Sequence, residues 1–152
     1  MGAAARNLLG KFRSFQSLAP SERARTAEAI FLLLAAEALV AAVPPRYWRR
    51  WLHGDRVENA VAPLAATQAV KHAVDRAARN VPTPARCLPQ ALAARQMLRR
   101  RGIGSVLHIG AAHDAGGGYA FHAWLTAGRL TVTGARAEAY RPFSPPAVVA
   151  RP

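Results

Sequence analysis

The chain of 152 residues has few of the features that cross-link a protein or anchor it in a membrane. It contains one cysteine, so no disulfide can form within the chain. Its N-terminal segment lacks the compact apolar run and small-residue cleavage site of a signal peptide. We therefore expect a cytoplasmic protein. Because 51% of the residues are hydrophobic, a chain of this length can bury the core of a single domain.

Long apolar runs are also scarce. The most apolar segment, residues 27–43, is slightly short for a membrane span and contains Glu28 and Glu37. Placing either carboxylate in hydrocarbon would be costly. We interpret the segment as a buried or interfacial helix rather than a membrane span.

Acidic residues are few, 8 against 21 Lys and Arg, which gives a formal net charge of +13. Such a charge suits an acidic peptide or protein partner. The arginines are spread along the chain and are not gathered into the aromatic-studded strip that binds single-stranded nucleic acid. We interpret them as a solvated, arginine-rich surface and do not expect nucleic-acid binding.

The first half of the chain has the patterns of helices. Ser21 precedes the apolar segment and is predicted to cap a helix that Pro44 and Pro45 end. Farther on, residues 66–79 carry small apolar residues at the spacing of one helical stripe, which predicts a helix that packs closely: Ala66, Ala69, Val70, Ala73, Val74 and Ala77.

Between these two helices, residues 46–54 alternate bases with Trp48 and Trp51. The two tryptophans are three residues apart and so lie on one face of a short helix. That face either covers the core or docks a membrane surface or a partner protein.

The second half changes from helix to strand. Residues 88–101 are predicted as a helix, with Pro89 tolerated in its first turn and Gly102 as its C-terminal cap. The segments IGSVLHIGAA, YAFHAWLTA and LTVTG are predicted as strands of an antiparallel meander. Residues 141–152 are too rich in proline for regular structure. The order of elements indicates an α+β fold.

Cys87 is predicted to begin the last helix, where backbone N–H groups and the positive end of the helix dipole favour a thiolate and an oxyanion. A nucleophilic cysteine also needs a base. His108 and His122 lie on predicted strands, and His122 is the stronger candidate because Phe121 and Trp124 surround it. From the residues alone, an inert core cysteine and a hydrogen-bonded core histidine stay open as alternatives.

A zinc site would use the same residue types, drawn from Cys87, His108, His113 and His122. No paired CxxC or HxxxH spacing supports one. The glycine-rich stretch HDAGGGYA lacks the lysine and the following helix of a phosphate loop. We therefore predict neither a metal nor a cofactor.

The order of these elements resembles that of the transglutaminase-like, papain-related cysteine catalysts. In that order a cysteine begins a helix, two strands follow, and a histidine lies on the second strand. Two sequence segments resemble a narrower group, the leader peptidases of lasso-peptide biosynthesis: CLPQALAARQMLRRRGIGSVLHIG and FHAW. The resemblance extends from about Leu18 to Phe143. It implies one domain over 1–152, with a helical lead-in at 1–80, a catalytic core at 81–143 whose helix packs on a small antiparallel sheet, and an irregular tail at 144–152.

The resemblance also implies a role for each site residue. Cys87 attacks the scissile carbonyl, and His122 takes the thiol proton and later protonates the leaving amine. The aspartate that orients the histidine in this family is replaced here, because the alignment puts Thr133 at its position. A threonine hydroxyl can orient an imidazole but supplies no negative charge. By position alone, Glu138 is the nearest downstream carboxylate and the alternative orienting group. Gln90, three residues after Cys87 in the helix, is either an oxyanion donor or an exposed polar residue of the first turn.

The function implied is a cysteine protease that removes the leader peptide from a lasso-peptide precursor. Its implied partners are that precursor, a leader-recognition protein and a lasso cyclase. Two alternatives stay open. One is a transglutaminase-like hydrolase or acyltransferase acting on another amide. The other is a non-catalytic, basic peptide-binding module.

Overall fold

Three helices are followed by a small antiparallel sheet in the computed structural model, which describes residues 16–44, 46–47, 62–81, 86–113 and 116–143. The elements are, in chain order, α1 (Pro20–Ala42), α2 (Leu64–Asn80), α3 (Cys87–Arg99), β1 (Val106–His113), β2 (Tyr119–Ala127), β3 (Leu130–Thr133), a 3-10 turn (Ala137–Ala139) and β4 (Arg141–Pro142). The strand order in the sheet is β3-β2-β1-β4. The predicted α+β class is confirmed. The predicted Trp48 and Trp51 face lies outside the described residues.

Helices and sheet share one core. Helix α1 packs against α2 and α3, and α3 packs in turn against β2 and β3. Four members of the predicted small-residue stripe are completely buried, which confirms α2 as a closely packed helix. Small side chains let the helix axes approach one another. The fully buried core residues include Leu33, Val70, Ala73, Val74, Ala77, Ala91, Ala94, Met97, Leu98, Leu125 and Val132.

The start of α1 differs from the prediction. The residue that caps the helix is Ala19, with no side-chain hydrogen bond, and Pro20 follows in the first helical turn. The prediction that Ser21 caps this helix is therefore wrong. Proline suits this place because its fixed φ is helical and its missing N–H is not needed. No helix in the described part of the chain has the length and apolarity needed to cross a membrane.

The end of α3 has the glycine cap that the sequence predicts. Gly102 has a φ of 67°, in the left-handed region that favours glycine. The N–H of Ile103 donates to the carbonyl of Leu98 at 3.0 Å, and that of Gly102 donates to the carbonyl of Arg99 at 3.0 Å. These bonds satisfy carbonyls at the helix end and turn the chain towards β1.

A fourth strand corrects the prediction that residues 141–152 lack regular structure. Arg141–Pro142 pairs with Gly110 and Ala111 of β1 at the edge of the sheet. An edge strand tolerates proline because one side of it needs no ladder hydrogen bonds. Gly110 permits the pairing, since a Cβ atom there would collide with the carbonyl oxygen of Arg141. Directly after the strand, the N–H of Phe143 donates a hydrogen bond to the carbonyl of Ile109 at 2.9 Å.

Candidate active site

Cys87 is the first residue of α3, and it is a half-buried free thiol. The preceding residue, Arg86, is extended and forms the N-cap. The first hydrogen bond along the helix runs from the Gln90 N–H to the Arg86 carbonyl at 3.2 Å. The N–H groups of Cys87 and Leu88 precede this bond, at the end of the helix where the dipole is positive.

His122 lies on β2 opposite Gly110 of β1 and has two aromatic rings nearby. Side chains alternate along a strand, so His122 shares a face of the sheet with Trp124, whose ring centroid is 6.1 Å away. Tyr140, which follows the 3-10 turn, brings its ring to 4.7 Å at an angle of 31°. These rings limit the orientations open to the imidazole.

His108 extends the same row of rings. It pairs with Trp124 across the β1–β2 ladder, and the two rings stack at 5.2 Å with 12° between their planes. Its Nε2 lies 3.0 Å from Thr126 Oγ1. His108 thus has the hydrogen bond and the stacking of a structural histidine.

His122 and Thr133 each bury a polar atom that has no hydrogen-bond partner, Nε2 in the first and Oγ1 in the second. Such an atom costs about 1–3 kcal/mol of stability, and each instance in a native structure calls for an explanation. Among the described residues the same condition is met by only one other side-chain atom, Arg23 Nε. Sequence reasoning assigned both His122 and Thr133 to the catalytic group.

The predicted hydrogen bonds among these residues are not formed. Neither the Cys87 thiol nor the Thr133 hydroxyl bonds to His122 Nε2, since this atom and the Thr133 hydroxyl both lack partners. Thr133 pairs with Leu125 across the β2–β3 ladder, beside a register shift between Leu125 and Thr126, so this pairing does not fix the face of the sheet on which the Thr133 side chain lies. Catalytic hydrogen bonds are often long before substrate binds. The roles of all three residues stay predictions.

The structure also describes the other candidate residues. Gln90 is half-buried in the first turn of α3, and Glu138 is exposed in the 3-10 turn. His113, at the end of β1, is exposed and packs against Tyr119 with their ring centroids 4.7 Å apart. In the part of the chain that is described, no three His, Cys, Asp or Glu side chains are placed to hold a metal ion.

Sequence reasoning missed a contact beside the candidate nucleophile. Glu37 on α1 accepts a hydrogen bond from the backbone N–H of Arg86 at 3.1 Å and two more from its guanidinium, at 3.0 and 3.3 Å. In the sequence, Glu37 indicates only that its segment does not span a membrane. A charged residue within an apolar helix that packs in a core needs a partner of opposite charge. The position of Glu37 in its apolar segment therefore indicates such a partner, although the sequence does not identify it.

Another carboxylate of α1, that of Glu28, contacts the other end of α3. Glu28 pairs with Arg100 at 3.3 Å and with Arg101 at 2.7 Å. The hydrogen bond from Arg101, more than any other contact, holds the pKa of Glu28 below its ordinary value of 4.5. Carboxylates of α1 therefore bind residues at both ends of α3, the helix that begins at Cys87.

Comparison with known protein families gives a match over most of the chain. A family model described as the Transglutaminase-like superfamily matches residues 7–145, which include every helix and strand given above. No curated protein and no solved structure matches the chain.

Proposed function

We propose, on the premise that the chain belongs to the transglutaminase-like superfamily, that it is a cysteine peptidase whose nucleophile is Cys87. Members of this superfamily are typically cysteine peptidases or transglutaminases. One observation carries the proposal. Cys87 opens a helix that packs against β2, and β2 holds His122 with its Nε2 buried and without a partner.

The first half of the proposed reaction forms a thioester. His122 takes the proton of the Cys87 thiol, and the sulfur attacks the carbonyl carbon of the scissile peptide bond. The negative charge that develops on the carbonyl oxygen is stabilised by N–H groups at the start of α3, with the Gln90 side chain as a further donor. The carbon–nitrogen bond then breaks, and the proton on His122 passes to the leaving amine.

The second half releases the acyl group. His122 takes a proton from water, the resulting oxygen nucleophile attacks the thioester, and the Cys87 sulfur leaves and regains a proton. The products are a new carboxyl group and the free enzyme. An amine in place of water would give acyl transfer by the same steps. The residues are the same in both reactions, so this chemistry alone does not distinguish a peptidase from an acyltransferase.

The imidazole must also be oriented. We assign this role to Thr133, whose buried hydroxyl has no hydrogen-bond partner, and to Tyr140, whose ring lies against His122. A hydroxyl can accept the imidazole N–H bond, and an aromatic face attracts a cation lying against it. Together they would take over part of what a carboxylate does in other members. Glu138, exposed in the 3-10 turn, is the alternative.

For the substrate, we propose the leader segment of a lasso-peptide precursor. The support is the likeness of CLPQALA and FHAW to the leader peptidases of that biosynthesis. The formal charge of +13 would favour an acidic leader or an acidic partner that presents it. A leader-recognition protein and a lasso cyclase would then act before and after the cleavage.

The test is cleavage of the matching precursor in the presence of the leader-binding partner, followed by mass spectrometry. We expect the wild type to cut one defined bond and Cys87→Ala to cut none, because the substitution removes the attacking sulfur. The Ala variant should still bind the precursor. Cleavage by both proteins would contradict the role of Cys87. Binding without cleavage by either would favour the non-catalytic peptide-binding module.

A further inference from the structure

Helix α3 is held at its N-terminal end by a carboxylate from another helix. Glu37 accepts one hydrogen bond from the Arg86 backbone and two from the Arg86 guanidinium, across 49 positions of sequence. The Glu37 side chain is only 14% exposed, whereas that of Arg86 is 62% exposed. The acid is thus the sheltered partner, seated on the packed face of α1.

The contact falls on the residue that determines where α3 begins. Arg86 is the N-cap, it has no side-chain cap bond of its own, and Cys87 follows directly. An N-cap residue is normally Ser, Thr, Asp or Asn, whose oxygen satisfies a free backbone N–H. Glu37 instead accepts the N–H of the N-cap residue itself, the bond that the glutamate of a capping box makes. A negative charge at this end of a helix is also stabilising.

We propose, on the basis of the function proposed above, that Glu37 is a positioning residue for the nucleophile. By holding the Arg86 backbone and guanidinium together, it fixes the first turn of α3 and with it the Cys87 sulfur. The Arg86 guanidinium balances the charge of Glu37, so a carboxylate can lie near the thiol without a net charge that opposes the thiolate.

The chain supplies its own control. Glu28 lies on the same helix and pairs with Arg100 and Arg101 at the far end of α3. Both carboxylates join α1 to α3, so loss of either should weaken the fold in a similar way. Only Glu37 contacts the residue next to Cys87. A positioning role and a merely stabilising role therefore predict different results for the two sites.

The experiment compares Glu37→Ala and Glu28→Ala in the full chain, at a temperature where both are folded. With the precursor as substrate, we expect Glu37→Ala to lower kcat about tenfold with KM unchanged, because a slightly displaced nucleophile reacts slowly once substrate is bound. Glu28→Ala should keep the wild-type kcat. Glu37→Gln retains an oxygen acceptor for the Arg86 N–H and should recover part of the loss.

A second measurement needs no substrate. Hydrogen exchange at the amides of Arg86 and Gln90 should be about fivefold faster in Glu37→Ala, as expected for a lost helix cap, and unchanged in Glu28→Ala. Should Glu37→Ala fail to fold, Glu37→Gln and Glu28→Gln give the same comparison. Unchanged exchange in the Glu37 variant, or an equal loss of kcat in both variants, would overturn the proposal. A wild type that cleaves nothing would refute the peptidase function, and exchange would then decide the positioning role alone.

Discussion

Thr133 buries a hydroxyl that makes no hydrogen bond, and valine has the same shape without this group. Replacing an unsatisfied buried hydroxyl with a methyl group is neutral or stabilising. If the hydroxyl orients His122 during the reaction, the same change removes a useful bond of about 1 kcal/mol, which corresponds to about fivefold in rate. We therefore expect Thr133→Val to keep or raise the melting temperature while kcat falls about fivefold.

The matched control is Glu138→Gln, which removes the nearest downstream carboxylate from an exposed position. We expect its kcat to equal that of the wild type. Precursor turnover and thermal unfolding measured for both variants decide the assignment. If turnover survives Thr133→Val and is abolished by Glu138→Gln, the orienting group is the glutamate and Thr133 is a core residue.

At the scale of elements, α1 and α3 are linked at their ends by ionised groups, so part of their packing depends on pH. Hydrogen bonding from Arg101 lowers the pKa of Glu28 in the folded protein below 4.5, its ordinary value. A lowered folded pKa means that ionised Glu28 stabilises the fold at pH values above 4.5. This contribution is lost as the pH falls through the lowered pKa, because the protonated acid no longer attracts the arginines.

Glu28→Gln tests this account through its dependence on pH. We expect the variant to be less stable than the wild type near pH 7 and the difference in unfolding free energy to shrink below pH 4.5. Urea unfolding of both proteins at several pH values measures the difference. A difference that stays constant from pH 7 to pH 3 would mean that the charge of Glu28 contributes nothing.

Most of the helices and strands could be predicted from local sequence patterns. The periodic stripe of α2, the glycine that ends α3 and the three strands before residue 134 depend on local pattern, and all were predicted. The strand at Arg141–Pro142 was missed because its pairing depends on Gly110, about thirty residues earlier, and not on its own sequence. Local composition favoured a loop there.

In the candidate site, too, local patterns predict some features and miss the contacts between residues distant in the chain. Cys87 and His122 were identified from their places at a helix start and on a strand, and the structure gives them those places. The Glu37–Arg86 contact and the Tyr140 ring beside His122 join residues distant in the chain. No spacing rule reports such contacts, since they follow from how the helices and the sheet are packed together.

At the scale of the whole molecule, one core joins the helical half to the sheet, with α3 between them. That arrangement puts the helix of Cys87 against the strand of His122. The family match covers both halves. We propose that this arrangement makes Cys87 a reactive nucleophile rather than an inert core thiol.

Alkylation by iodoacetamide tests that claim most directly, because the chain has one cysteine and each labelled molecule therefore reports Cys87. The native protein and the same protein unfolded in urea are labelled at neutral pH and followed by mass spectrometry. The account predicts faster labelling of the native protein, since a thiol that a neighbouring base deprotonates reacts faster than the same thiol in an unfolded chain. Labelling that occurs only after unfolding would contradict it and leave Cys87 as a buried structural thiol.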